Sequence, residues 1–310
     1  MALRNHSTIT EFILLGLAVD PKVQVLLFVL FLGVYLLTVM GNLMMMVVRT
    51  DSRLHTPMYF FLSHLSFLDL CFSTVTVPKL LENLLSERKT ISKEGCLAQA
   101  FFVLDIGGTE IFLLSAMAYD RYAAICHPLL YGQMMSNQLC VRLVWVSWSV
   151  SLLDAVINIS LTVNLNFCEA YIIPHYSCEL PSVLRLSCSD VSSNVVVLII
   201  ASLLHGFGTC CLIFFSYVHI FSAILSINSV MGRSKAFSTC SSHLSVVSFF
   251  YASALLRYLL PTSGTALELV FSIQYGVITP LLNPLIYSLK NKEVKAAMRR
   301  ILRKYLQGHS

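Results

Sequence analysis

Charge is scarce in this chain. Only 12% of its 310 residues are Asp, Glu, Lys or Arg, against 56% hydrophobic residues and a mean hydropathy of +0.76. One soluble core of this length cannot bury so much apolar surface, so a soluble globular domain is excluded and a membrane protein is expected. The short signatures of catalysis are missing as well. There is no GxSxG elbow, no HExxH helix and no GxxxxGKS/T phosphate cradle, and Gly206-Phe207-Gly208 lacks the rest of a dinucleotide fingerprint. The nine histidines are scattered, and Asp69 with Glu110 is the one carboxyl pair that an intramembrane enzyme could use. No internal repeat is visible, which argues against a transporter built from inverted halves. No apolar stretch precedes a small-residue cleavage site in Met1 to Lys22, so the first span is expected to serve as the targeting anchor.

Seven apolar runs of about 20 residues are present, near 24–48, 58–80, 98–120, 141–161, 195–225, 237–260 and 271–289. Each run is continuous instead of alternating, which predicts helices and no barrel strands. The expected fold is an all-α membrane protein, a seven-transmembrane bundle forming one domain over 1–310. Its N-terminus covers 1–23, its bundle 24–289 and its tail 290–310. Thirteen of the 21 Lys and Arg fall on the side that holds the tail. That side is expected to be cytoplasmic and the N-terminus extracellular. The basic excess then describes topology and membrane lipid, with no nucleic-acid partner. Asn5-His6-Ser7 on the outer side is an acceptor for N-glycosylation at Asn5.

Several polar residues interrupt the runs. Gly41 and Asn42 suit close helix approach and hydrogen bonding in the first span. Pro57 suits a first helical turn, where its missing N–H is not needed. Asp69 and Glu110 lie at membrane depth, where acids are candidates for function. With Ser115 and Asn283 they suggest a polar cluster holding either a cation or a shared proton. Pro280 and Pro284 must bend the seventh span and free carbonyls, and Asn283 is placed to satisfy one. Cys240 and His243 share a helix face, but two ligands do not make a metal site. Val294, Ala297, Met298, Ile301, Leu302 and Tyr305 recur at three or four residues, predicting a short amphipathic helix over Lys290 to Gln307. Cys96, Cys168, Cys178 and Cys188 fall on the outer side, and four cysteines allow three pairings.

Five strings carry a resemblance. Leu54 to Leu70 reads LHTPMYFFLSHLSFLDL and Met117 to Leu130 reads MAYDRYAAICHPLL. SYVHI begins at Ser216, KAFSTCSSHLSVV at Lys235 and PLLNPLIYSLKN at Pro280. Together they resemble the rhodopsin-like G-protein-coupled receptors, specifically the odorant-receptor branch. In the sixth span Tyr251 and Ser253 stand where many such receptors have tryptophan and proline, so a preformed proline kink is not expected there.

The resemblance implies disulfides Cys96–Cys178 and Cys168–Cys188, folding the second outer loop into a lid. It implies a sodium ion near Asp69 and Glu110. It also implies an activation switch in which the Asp120–Arg121 pair beside Tyr122 opens, so that Arg121 meets Tyr217 and Tyr287, with Lys235, Asn283 and Pro284 in the coupling region. A ligand is expected among Leu104, Gly107, Gly108 and Ile111 of the third span and Ser202, His205 and Gly206 of the fifth. Tyr251, Ala254, Leu255 and Tyr258 of the sixth, Ile273 and Gly276 of the seventh, and Glu179 and Leu180 of the lid complete that lining. The two glycines of the third span leave either ligand volume or room for close helix packing. Asp105, Asp154 and Arg257 near the outer half fit an apolar pocket poorly. Asp105 or Asp154, with His205, suggests a polar or basic ligand preference, against local pairing and a snorkelling Arg257. The expected partners are a small odorant, a heterotrimeric G protein with a stimulatory, olfactory-type Gα, membrane lipid, and chaperones for surface delivery. The expected location is the plasma membrane of olfactory sensory cilia. The rivals are a receptor of the same fold for an amine or peptide and, more remotely, a transporter.

Overall fold

The computed structural model describes residues 10–17, 20–167, 171–259, 266–290 and 292–307, and the side chains of Ser52, Lys235, Thr239, 254–259, Ala266, Glu268, Leu289, Lys290, Lys292, Leu302 and 304–307 lie outside what it describes. Seven long helices follow in chain order: α1 Pro21–Val48, α2 Pro57–Leu85, α3 Lys93–Cys126, α4 Asn137–Val163, α5 Ser192–Leu225, α6 Val230–Leu259 and α7 over 266–290. A shorter α8, Lys292–Gln307, closes the chain. The fold is an all-α seven-transmembrane bundle with an amphipathic C-terminal helix. Among the described residues, α1 to α5 and Leu269–Ser288 of α7 are long and apolar enough to cross a bilayer. α6 is 30 residues long, more than a bilayer core requires, but its first half is rich in serine and threonine.

The helices begin earlier than the apolar runs because their caps are polar. Asp20 accepts from the backbone N–H of Lys22 ahead of Pro21, and Ser92 accepts from Gly95 N at 3.0 Å. Pro57 occupies the first turn of α2, as its missing N–H favours. At their far ends α2 and α3 run several residues beyond their predicted limits, since extra turns outside the hydrocarbon need no apolar character.

Two helices widen. α5 has a π-helical stretch at Ser202–Phe207 and α7 one at Gln274–Ile278. In α7 the Thr279 hydroxyl donates to Gln274 O at 3.0 Å, across the wide turn. Pro284 has no N–H for the carbonyl four residues back, and Asn42 of α1 donates to that Pro280 oxygen at 3.0 Å. The carbonyl role expected of Asn283 at this bend therefore belongs to Asn42. Gly41 permits the approach, because a Cβ there would lie 3.2 Å from Pro284 Cγ.

Three short strands form one sheet at the end of the bundle where α2 stops and α3 starts, hereafter the lid end. β1, Glu11–Leu14, pairs antiparallel with β2, Thr90–Ser92, and parallel with β3, Ile172–Ile173. Beneath the sheet Phe12, Leu14, Phe167, Ile173, Leu180 and Val183 form a buried apolar cluster, with the rings of Phe12 and Phe167 edge to face at 5.3 Å. At the opposite, tail end, Val294 and Ala297 of α8 are fully buried in the main core. Arg300 grips Asp51 through Nε at 2.8 Å and Nη2 at 2.7 Å, and Tyr59 donates to Glu293 Oε2 at 3.0 Å. These contacts lash α8 to the turn between α1 and α2.

Candidate functional site

At the tail end of α3, Asp120 is fully buried and Arg121 nearly so. A buried ion pair persists only if further hydrogen bonds occupy its remaining atoms. Arg121 Nε donates to Asp120 Oδ2 at 2.9 Å, Nη2 donates to the same oxygen, and the Tyr131 hydroxyl donates to Oδ1 at 2.7 Å. Tyr131 lies on the short helix Tyr131–Met134 that follows α3, so the loop itself closes the pair. Tyr122 bonds His127 Nε2 at 3.0 Å and packs against Tyr119 and His219.

One layer inward, His243 of α6 ties three helices together. Its Nε2 lies 3.1 Å from Leu114 O of α3, and its Nδ1 lies 2.7 Å from the Tyr217 hydroxyl of α5. A carbonyl can only accept, so Nε2 carries the hydrogen and Nδ1 accepts from Tyr217. The two rings stack at 5.9 Å and 9°. Both ring nitrogens are thus engaged. Tyr217 faces His243 instead of Arg121, and the buried Tyr287 hydroxyl of α7 has no hydrogen-bond partner. Arg121 is latched to Asp120, while the two tyrosines expected to receive it are held elsewhere or unoccupied.

Deeper still, Asn283 Nδ2 donates to both carboxyl oxygens of Asp69 at 3.0 Å. Glu110 lies close enough to Asp69 to interact electrostatically, and its Oε1, like Asn283 Oδ1, is buried without a partner. The structure brings Asp69, Glu110 and Asn283 together but leaves Ser115 aside, with its hydroxyl donating to Phe112 O at 2.7 Å. Among the described residues there is no group of three or more His, Cys, Asp or Glu arranged for a metal ion. The oxygens present suit a hard monovalent cation or a shared proton.

The lid is pinned to the helices from several sides. Cys96 and Cys178 are disulfide-bonded, and Cys178 N donates to Gln99 Oε1 at 2.7 Å while Gln99 Nε2 donates to Val75 O at 2.9 Å. Cys188 is also disulfide-bonded, and its expected partner Cys168 lies outside the described residues, as does Asn5. His175 Nε2 lies 2.6 Å from the Ser272 hydroxyl of α7, and the Tyr176 hydroxyl donates to Ser272 O at 3.0 Å. Glu179 and Leu180 are buried beneath, with a Glu179 oxygen 3.8 Å from His175 Nε2.

Beneath this lid, three glycines expected to line a ligand site lie against side chains that already occupy the space beside them. A Cβ on Gly107 would lie 2.7 Å from the Tyr275 hydroxyl, and one on Gly108 would lie 2.9 Å from Ser151 Oγ. One on Gly276 would overlap the Tyr176 hydroxyl. Tyr275 touches Phe72 and Phe250 with ring centroids 5.0 and 5.4 Å away. Tyr251 shares a hydrogen bond of 2.7 Å with Thr209, and His205 meets Phe112 edge to face at 5.0 Å. Leu104, Ile111 and Ile273 are half-buried against three different clusters, the one beneath the sheet, the main core and a third with Phe31 and Val77; Ser202 donates to its own helix, and a Cβ on Gly206 would meet nothing within 4 Å. The side chains of Ala254, Leu255, Tyr258, Arg257 and Lys235 are outside the described set. A shallow cleft also opens at the lid end between Leu15, Leu17, Asn83, Lys89 and Tyr176, and touches none of the expected lining. His175, Tyr176, Ser272 and Gln99 escaped the sequence reading, and His243 entered it only beside Cys240. Gln99 alone carried a usable signal, as an amide inside an apolar run.

A seven-helix membrane bundle with a disulfide-pinned lid at one end and a latched acid–arginine pair at the other defines a signalling receptor of the plasma membrane, not an enzyme. Comparison with known proteins narrows the class. The family model described as "Olfactory receptor" matches residues 31–305. Human olfactory receptor 8S1 is 66% identical over 296 residues, covering 95% of this chain and 82% of that protein. Rat olfactory receptor 1 is 50% identical over 304 residues and 97% of each chain, and human olfactory receptor 2F1 is 46% identical over 308 residues, 98% and 97%. The chain belongs to the olfactory receptor family.

Proposed function

We propose that the lid end faces outward and receives a small, mostly apolar organic odorant among α3, α5, α6 and α7, and that the tail end passes the signal to a stimulatory, olfactory-type Gα, raising cAMP. The observation that carries this reading is the latched Arg121. It is buried against Asp120, with Tyr217 turned to His243 and the Tyr287 hydroxyl unpartnered.

An agonist can shift this arrangement only by its differential affinity for the open bundle. Opening moves α6 and takes His243 off both Tyr217 and Leu114. Tyr217 and Tyr287 can then accept Arg121, compensating the loss of its bond to Asp120 and vacating a cleft for the G protein. Asp69, Glu110 and Asn283 sit between ligand site and switch, where a sodium ion or a shared proton would favour the closed form. Glycosylation at Asn5, chaperone-assisted delivery and residence in sensory cilia complete the reading on family grounds. Arg121→Ala tests it. Odorant-driven cAMP should vanish while surface levels persist, and an undiminished response would refute the switch.

A further inference from the structure

A second polar group lies between α3, α4 and α5, outside the switch. α3 and α4 run antiparallel and touch where Gly108 faces Ser151, whose Oγ is buried and without a partner. Three residues toward the lid end on α3 stands Asp105, and three residues toward the lid end on α4 stands Asp154, so both acids occupy the same level, one helical turn outward. Asp105 is only 6% exposed and its Oδ1 has no hydrogen-bond partner. Asp154 accepts from Asn158 Nδ2 at 3.0 Å and lies within electrostatic reach of His205, on the wide turn of α5. Asn158 Oδ1 is buried and unpartnered in turn.

Buried polar atoms without partners are uncommon, and these share one character. Asp105 Oδ1 and Asn158 Oδ1 can only accept unless protonated, and Ser151 Oγ can accept. Of the two carboxyl groups, Asp154 lies within electrostatic reach of His205, and the Asp105 Oδ1 has no partner. The complement is a ligand group that brings positive charge and several N–H donors, because charge-assisted hydrogen bonds are the strong ones in a dry site. A ketone, ester or hydrocarbon brings no donor, and an alcohol brings one.

Resting on the odorant-receptor reading, we propose that this seat binds the ammonium head of a small primary amine, with Asp105 as its counter-ion and Ser151 as a further acceptor. The hydrocarbon end of the ligand then lies toward Ile111 and Phe112. The basic preference therefore belongs to the α3–α4 seam and not to the aromatic group under the lid.

The test uses the full chain in cells with a cAMP reporter and primary alkylamines, alcohols and ketones of matched chain length. The amine should have the lowest EC50. Asp105→Asn should raise the amine EC50 on the order of 100-fold, as expected when one partner of a buried charged pair is lost, raise the alcohol EC50 far less, and be largely reversed in Asp105→Glu. Should Asp105→Asn fail to reach the surface, the wild-type receptor decides with the quaternary trimethylammonium analogue. That analogue keeps the charge without N–H donors and should be markedly weaker. Equal potency of primary and quaternary forms, equal loss across all ligand classes in Asp105→Asn, or a response to alcohols and ketones beside silence to amines would each overturn the inference while leaving the receptor reading intact. Silence to every compound would instead count against the receptor reading and remove this inference with it.

Discussion

Replacing Gly276 by alanine should destabilise the receptor, and removing one oxygen elsewhere should restore it. The added Cβ overlaps the Tyr176 hydroxyl, while its other neighbours, Tyr176 Cζ at 3.5 Å and Phe72 Cε1 at 3.6 Å, are at ordinary contact distance. The hydroxyl cannot swing aside freely. Its ring stacks on His175 at 5.0 Å, and His175 is itself bonded to Ser272. Displacing it breaks the hydrogen bond to Ser272 O, a loss of about 1–3 kcal/mol for a buried group, with about 1–3 kcal/mol of overpacking added. The gain from replacing a helical glycine returns about 1 kcal/mol. The net cost of Gly276→Ala is therefore about 3 kcal/mol. Tyr176→Phe alone costs the hydrogen bond, about 1–3 kcal/mol. In the Tyr176→Phe background the overlap is gone, so Gly276→Ala should cost nothing or stabilise slightly. The double-mutant cycle then carries a rescuing coupling of about 2 kcal/mol or more. Thermal midpoints of the purified receptor in detergent, read by size-exclusion fluorescence, provide the assay. Additive costs, or a higher midpoint for Gly276→Ala alone, would refute the packing of Tyr176 over α7.

Two further outcomes follow from the loops. The Arg300 guanidinium, and then the Arg53 backbone N–H, hold the Asp51 carboxyl below its ordinary value of 3.8. A carboxyl lowered on folding stabilises the docked α8 above that ordinary value and ceases to do so as pH falls through its folded value. α8 should therefore stay docked at neutral pH and loosen only in acid, and Asp51→Asn should loosen it already at pH 7. Spin-label distances between α8 and the α1–α2 turn would read this, and acid-insensitive distances would contradict it. Cys96→Ser and Cys178→Ser should lower surface expression equally, with the double variant no worse. An 82-residue separation puts the disulfide's contribution at about 4–5 kcal/mol on the loop-entropy scale. Flow cytometry of surface-labelled cells measures it, and a double variant markedly below the single ones would break the pairing.

The spans were legible because a bilayer imposes length and apolarity on each one separately. The caps at Asp20 and Ser92 set where their helices start but sit outside the apolar runs, and every predicted start fell late. Gly107 and Gly108 left two readings open, since a missing side chain looks the same whether a ligand or a neighbour occupies the space. Tyr275 and Ser151 occupy it here. The error over Asn283 came from treating α7 alone. The carbonyl freed by Pro284 faces α1, where Gly41 leaves room for Asn42 to reach it. His243 was read only as half of an unconvincing metal pair, because its true partners, Leu114 and Tyr217, are 129 and 26 residues away in sequence. The strands were invisible for a simpler reason. At four, three and two residues they have no period of their own, and contacts far apart in the chain decide their pairing.

That small sheet has a consequence for biosynthesis. Glu11–Leu14 is made before the seven helices described above, yet one neighbour is made only at Thr90–Ser92 and the other only at Ile172–Ile173, after four of those helices. The leading peptide must wait, with Phe12 and Leu14 uncovered and its hydrogen-bonding edge open to other nascent chains. A translation pause or premature stop before Ile173 would strand it in that condition. Made ahead of both its neighbours, it settles only with the second of them.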